Sequence, residues 1–201
     1  MKRKIMLGVI AAMVVSMSVP AFAATSIGQI MPEAPQVVSG LPTDAKLVVK
    51  TIDVKDLDTY TTIQEVKTVL EAVNDENQVI SVEEAATTLG VADVHNVETE
   101  SGEKIDLADY KFTTEFVDLA AQIGDQLTYT IDDEGKITAK LTMETAKDKK
   151  AEDLILMLVN PETGEVCFIT IDGIDPETGE IEVTLPFLGA VTLLEKTSVT
   201  E

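Results

Sequence analysis

The chain opens on an apolar run, Ile5 to Val19, preceded by Lys2, Arg3 and Lys4 and closed by Pro20. Ala21-Phe22-Ala23 then supplies the small-x-small pattern that signal peptidases cut. The run is shorter than the roughly 20 residues a membrane-spanning helix requires, so 1–23 reads as a secretory signal. Between 24 and 43, Pro32, Pro35, Gly40 and Pro42 interrupt any periodicity, and this stretch reads as an extended leader. Lys46 to Asp53 follows as a first strand, rich in β-branched residues.

Two helical patterns come next. Ile63, Val66, Val69, Leu70 and Val73 fall on one helical face, with Thr62 and Glu65 spaced as a capping box in front. Val82, Ala85, Ala86 and Leu89 form a second stripe. Ser81 and Glu84 cap its start, and Gly90 stands where a left-handed terminating residue belongs. This second helix is about two turns long and must dock on a neighbour to persist. From about Asp93 the period shortens to that of strands separated by tight turns. Ser101-Gly102 is flanked by Val94–Glu100 and Glu103–Leu107. Three further hairpins are expected, around Asp132–Gly135, around Asn160-Pro161-Glu162-Thr163-Gly164, and around Asp175-Pro176-Glu177-Thr178-Gly179.

The expected fold is α+β. A small N-terminal α/β unit with two short helices spans 44–103. An antiparallel immunoglobulin-like β-sandwich of about seven strands spans 104–201.

Charge narrows the partners. The chain has 201 residues, 36 Asp+Glu against 15 Lys+Arg, and a formal net charge of −21. Loss of 1–23 removes three basic residues and no acidic one, which takes the charge to −24. It also removes Arg3, the only arginine. Nucleic-acid binding needs a basic surface and favours arginine, so a nucleic-acid partner is not expected. Attachment to an anionic membrane after signal cleavage is unfavourable for the same reason. No Cys follows the signal to carry a lipid, and Leu41-Pro42-Thr43-Asp44-Ala45 lacks the apolar tail of a sortase signal. The product is expected outside the cell, free or held at the surface non-covalently. A protein or a cell-wall polymer is the expected partner. An apolar content of 45% and a mean hydropathy of +0.15 exceed those of disordered acidic chains, so a buried core is expected.

The catalytic inventory is short. His95 is the sole imidazole and Cys167 the sole thiol, so neither a zinc site nor a disulfide can be built within one chain. No G-x-S-x-G elbow occurs. Cys167 reads as a core thiol in a buried strand and His95 as a structural or surface residue. No catalytic residue, cofactor or enzymatic activity is therefore expected. Two alternatives rest on carboxylates. Asp172, Asp175 and Glu177, with Asp132, Asp133 and Glu134, crowd oxygen ligands into two turns, the supply calcium requires, although neither matches an EF-hand loop. A glycan or wall hydrolase would need two carboxylates across a sugar cleft, normally with aromatic platforms. The chain has no Trp, three Tyr and five Phe.

Leu-Val-Asn-Pro-Glu-Thr-Gly-Glu-Val over 158–166 and Leu185-Pro186-Phe187-Leu188-Gly189-Ala190-Val191 carry a resemblance. Roughly the last 80–90 residues resemble the C-terminal β-sandwich of small secreted proteins from anaerobic Gram-positive bacteria, many of them gut residents. The resemblance implies a fold and an extracellular location, and it implies no reaction.

Overall fold

The computed structural model describes residues 35–75, 79–129 and 135–197. The signal-like segment 1–23 and the Asp132-Asp133-Glu134 turn lie outside the described residues. The strands are β1 (Gln36–Ser39), β2 (Ala45–Thr51), β3 (Val97–Glu98), β4 (Lys104–Ile105), β5 (Tyr110–Phe112), β6 (Val117–Ile123) and β7 (Gln126–Thr128). They continue as β8 (Ile137–Thr142), β9 (Leu154–Val159), β10 (Val166–Thr170), β11 (Gly173–Asp175), β12 (Glu180–Leu185) and β13 (Gly189–Lys196). The helices are α1 (Leu57–Tyr60), α2 (Gln64–Asn74) and α3 (Val82–Thr88).

The fold is α+β and its sheets are antiparallel. A large sheet runs β10-β9-β13-β6-β2, with β5 also pairing β13 and β7 pairing β6. A smaller sheet runs β1-β8-β12-β11, and β3 and β4 form a separate ribbon. The first strand, β2, pairs with β6 along its whole length, from Ala45 opposite Ile123 to Thr51 opposite Val117. The large sheet thus draws on chain from both sides of residue 103.

Side-chain alternation assigns each strand face a core. Leu154, Leu156 and Leu158 of β9 meet Ile137, Ala139 and Leu141 of β8 and Ile181, Val183 and Leu185 of β12 between the two sheets. Ile155, Met157 and Val159 point the other way, into a second core with Val66, Val69, Leu70 and Val73 of α2 and Ala85 and Ala86 of α3. With both faces covered, all six residues of β9 are buried. That explains its unbroken Leu-Ile-Leu-Met-Leu-Val run, since a half-exposed strand would alternate with polar residues. β8 and β12, covered on one face, do alternate. The molecule is therefore layered as small sheet, large sheet, helices. Among the described residues no helix is long and apolar enough to cross a membrane.

Four local expectations change. Gln36–Ser39, within the expected leader, is a strand paired with β8. Gly40 follows it at φ +92°, and a Cβ there would stand 2.1 Å from the Lys136 carbonyl oxygen, so only glycine fits the approach. The strands flanking Asp132–Gly135 do not form a hairpin: β7 pairs β6 in the large sheet, whereas β8 lies between β1 and β12 in the small one. Among the described residues, 104–201 carries ten strands, β4 to β13, rather than about seven, because short strands such as β4, β5, β7 and β11 are added to the longer ones. Finally, α2 begins at Gln64 without a side-chain cap. The hydroxyl one position before the expected cap, Thr61 Oγ1, instead donates to the Pro161 carbonyl at 2.6 Å and accepts from the Ile63 N–H.

Candidate functional site

The two five-residue turns have the same architecture. Asn160 Oδ1 accepts from the N–H groups of Glu162 and Thr163 at 2.9 and 3.1 Å. Asp175 Oδ1 accepts from those of Glu177 and Thr178 at 2.9 and 3.3 Å. The threonine hydroxyl of each turn accepts from the residue two positions on, and the closing glycine has φ of +76° or +74°. Asp175 is consequently held below the ordinary carboxylate range, chiefly by the two backbone donors. Its Oδ1 is committed to the turn, and Asp172 Oδ2 accepts from Thr184 Oγ1 at 3.0 Å. Asp172, Asp175 and Glu177 are not brought together as ligands. Among the described residues no group of three or more His, Cys, Asp or Glu side chains is placed to hold a metal ion.

His95 lies on the surface beside the start of β3. Its Nδ1 is 3.0 Å from Asp106 Oδ1, and Nε2 is 3.9 Å from Glu83 Oε1. The hydrogen bond with Asp106 pushes the imidazole above its ordinary range and pulls Asp106 below its own. Carboxylates on both ring nitrogens favour a cation over a proton acceptor. A polar cleft of 330 Å³ opens beside the pair, lined in part by Glu103, Asp109, Tyr110 and Glu152.

Cys167 is half-buried rather than fully buried, and its Sγ donates to Glu100 Oε1 at 3.3 Å. Burial first, and Glu100 second, push the thiol up to about 12. A nucleophilic cysteine requires the reverse, a cationic setting that stabilises thiolate.

Asp118, absent from the sequence-based candidates, is the chemically unusual group. It is the second residue of β6 and only 5% exposed. Tyr60, at the end of α1, donates to Oδ1 at 3.1 Å, and Tyr129, just past β7, donates to Oδ2 at 3.3 Å. The two rings meet edge to face, with centroids 6.3 Å apart. Burial raises the Asp118 carboxyl, while the two phenols and Lys50 act in the opposite direction. Burial and the adjacent carboxylate drive both phenols above the ordinary tyrosine range. The cluster ties α1 and the chain just past β7 to β6. It offers a carboxylate sealed by two donors rather than one open to a substrate. The readable signal was a single charge in Phe116-Val117-Asp118-Leu119-Ala120-Ala121.

Asn74 makes a comparable tie. Its side chain donates to the Phe116 carbonyl and accepts from the Phe116 N–H, both at 2.8 Å. It serves the backbone where β5 gives way to β6. Comparison with known protein families, with curated proteins and with solved structures finds no match to the chain.

Proposed function

We propose that the protein is exported and works outside the cell by binding, not by catalysis, with a basic protein or a cell-wall polymer as partner. In this reading the two antiparallel sheets act as an immunoglobulin-like scaffold that presents acidic surface loops. The observation that carries the reading is the charge imbalance, 36 acidic against 15 basic residues. Exposed turn carboxylates such as Glu162 and Glu177 contribute to it. Such a surface attracts cationic partners at long range and repels polyanions. The Lys2–Ala23 pattern supports export. The sealed Asp118 and the raised Cys167 thiol suit a binding module better than a nucleophilic enzyme.

Fractionation of the source cells tests the reading. The expected product begins at Ala24, by mass spectrometry, and lies outside the membrane. Its wall-retained pool should be released by high salt, as an electrostatic contact requires. A chain that keeps Met1 and stays in the cytoplasm would overturn the proposal.

A further inference from the structure

Asp118 is the only charged side chain buried among the described residues, and it joins segments far apart in the chain. Tyr60 reaches it from the end of α1 and Tyr129 from just past β7, and each hydroxyl takes one carboxylate oxygen. Tyr60 packs against the core under the helices and Tyr129 against the core between the sheets, so the three residues span both layers. The segments they hold are slight. α1 is four residues with Leu57 alone buried, and β7 is three residues, none of them buried. A carboxyl only 5% exposed regains water when a neighbouring side chain moves, and the hydroxyls on it belong to these two short segments.

We infer that Asp118, Tyr60 and Tyr129 form a pH-operated clasp: uncharged Asp118 keeps α1 and the chain past β7 closed on β6, and ionised Asp118 lets them open while the rest of the sheet stays folded. Proton linkage gives the sign. Burial outweighs the two phenols and raises the closed-state carboxyl above its ordinary range, whereas an opened, hydrated Asp118 returns to that range. The closed clasp is therefore favoured at and below the ordinary range, and that preference is lost as pH rises through the raised one. Two further charges bear on the cluster. Lys50 lies directly opposite Asp118 on β2 and favours the anion, and Glu162, in the 160–164 turn, acts on Tyr129. The residue opposite Asp118 on β13 is the uncharged Ala190.

Hydrogen exchange of the purified protein, read by mass spectrometry between about pH 4 and about pH 8 and corrected for the intrinsic pH dependence, tests the clasp. Peptides covering 57–61 and 126–129 are expected to lose protection by about threefold or more as pH rises, while the β9 peptide, 154–159, keeps its own. Asp118→Asn should remove that pH dependence. Tyr129→Phe keeps the ring and removes one donor to the anion, so it should move the midpoint to higher pH, and Tyr60→Phe should do the same. Circular dichroism checks that each variant folds, and either Phe variant suffices for the shift. Protection independent of pH in the parent, an Asn variant that keeps the parent's profile, a loss that β9 shares, or a midpoint that falls in the Phe variants would each overturn the clasp.

Discussion

Asp118 occupies a strand position that its neighbours would assign to an aliphatic side chain. Burial disfavours its charged form, and two phenol donors return part of that loss. Its folded-state pKa is raised, so the folded chain holds a proton where the unfolded chain has released it. Stability attributable to this group therefore falls as pH rises from the ordinary carboxylate range through the raised one. Asp118→Asn removes the charge and keeps the shape. It is expected to flatten that slope and to stay within about 1 kcal/mol of the parent at pH 7. Asp118→Ala strands two phenols and should cost about 1–3 kcal/mol. Urea unfolding of the three proteins at pH 7 and pH 4 measures both effects. An Asn variant as damaged as the Ala variant would show that the charge itself holds the cluster. The lone carboxylate was readable in the β6 run, but its partners were not. Tyr60 lies 58 positions away and Tyr129 lies 11 away, and only the closed sheet brings them to one carboxylate.

At the scale of elements, local hydrogen bonding separates the expectations that hold from those that do not. The Ser81–Glu84 capping box forms as its spacing predicts, with the Ser81 hydroxyl and the Glu84 carboxylate each serving the other's backbone N–H. The α3 terminus closes on Gly90 with paired bonds from Gly90 N–H to Thr87 and from Val91 N–H to Ala86. The Asn-Pro-Glu-Thr-Gly and Asp-Pro-Glu-Thr-Gly turns were legible for the same reason, because their donors and acceptors lie within four residues. The Thr62 cap does not form because α2 begins at Gln64, which puts Ile63 in the cap position and Thr62 one residue before it. The turn glycines are not equivalent. A Cβ at Gly179 would sit 2.4 Å from the Met143 carbonyl oxygen, whereas one at Gly124 meets nothing within 4 Å. Both have positive φ. Gly124→Ala should cost only the backbone strain, about 1–2 kcal/mol, and Gly179→Ala clearly more. Thermal unfolding of the pair checks this, and equal costs would refute the close packing of the 175–179 turn on the segment after β8.

The chain as a whole carries a formal net charge of −21. Mutual repulsion of the carboxylates opposes the compact state, and salt screens it. Raising NaCl from about 0.05 to about 0.5 M is therefore expected to increase the melting temperature by a few degrees. A decrease would mean that attractive pairs such as Lys140–Glu180, 2.8 Å apart, or the Lys111–Glu195–Lys149 cluster outweigh the repulsion. The layer order was beyond sequence reading. By sequence, the Leu154–Val159 run reads only as one strand of the hairpin around Asn160–Gly164; that both its faces are covered, and by which elements, came from the structure.

Periodicity, turn chemistry and charge were enough to establish an α+β chain rich in antiparallel strands, the capped α3 and the paired five-residue turns. They also established an acidic surface without arginine beyond Arg3. Each of these depends on residues a few positions apart or on simple counting. The tertiary structure alone assigned β2 to the sheet of β6, separated β7 from β8, recruited Gln36–Ser39 as a strand, and gathered Tyr60, Asp118 and Tyr129. Strand pairing across tens of residues is chosen by which apolar faces can be covered together, a property of the assembled layers that no local pattern encodes.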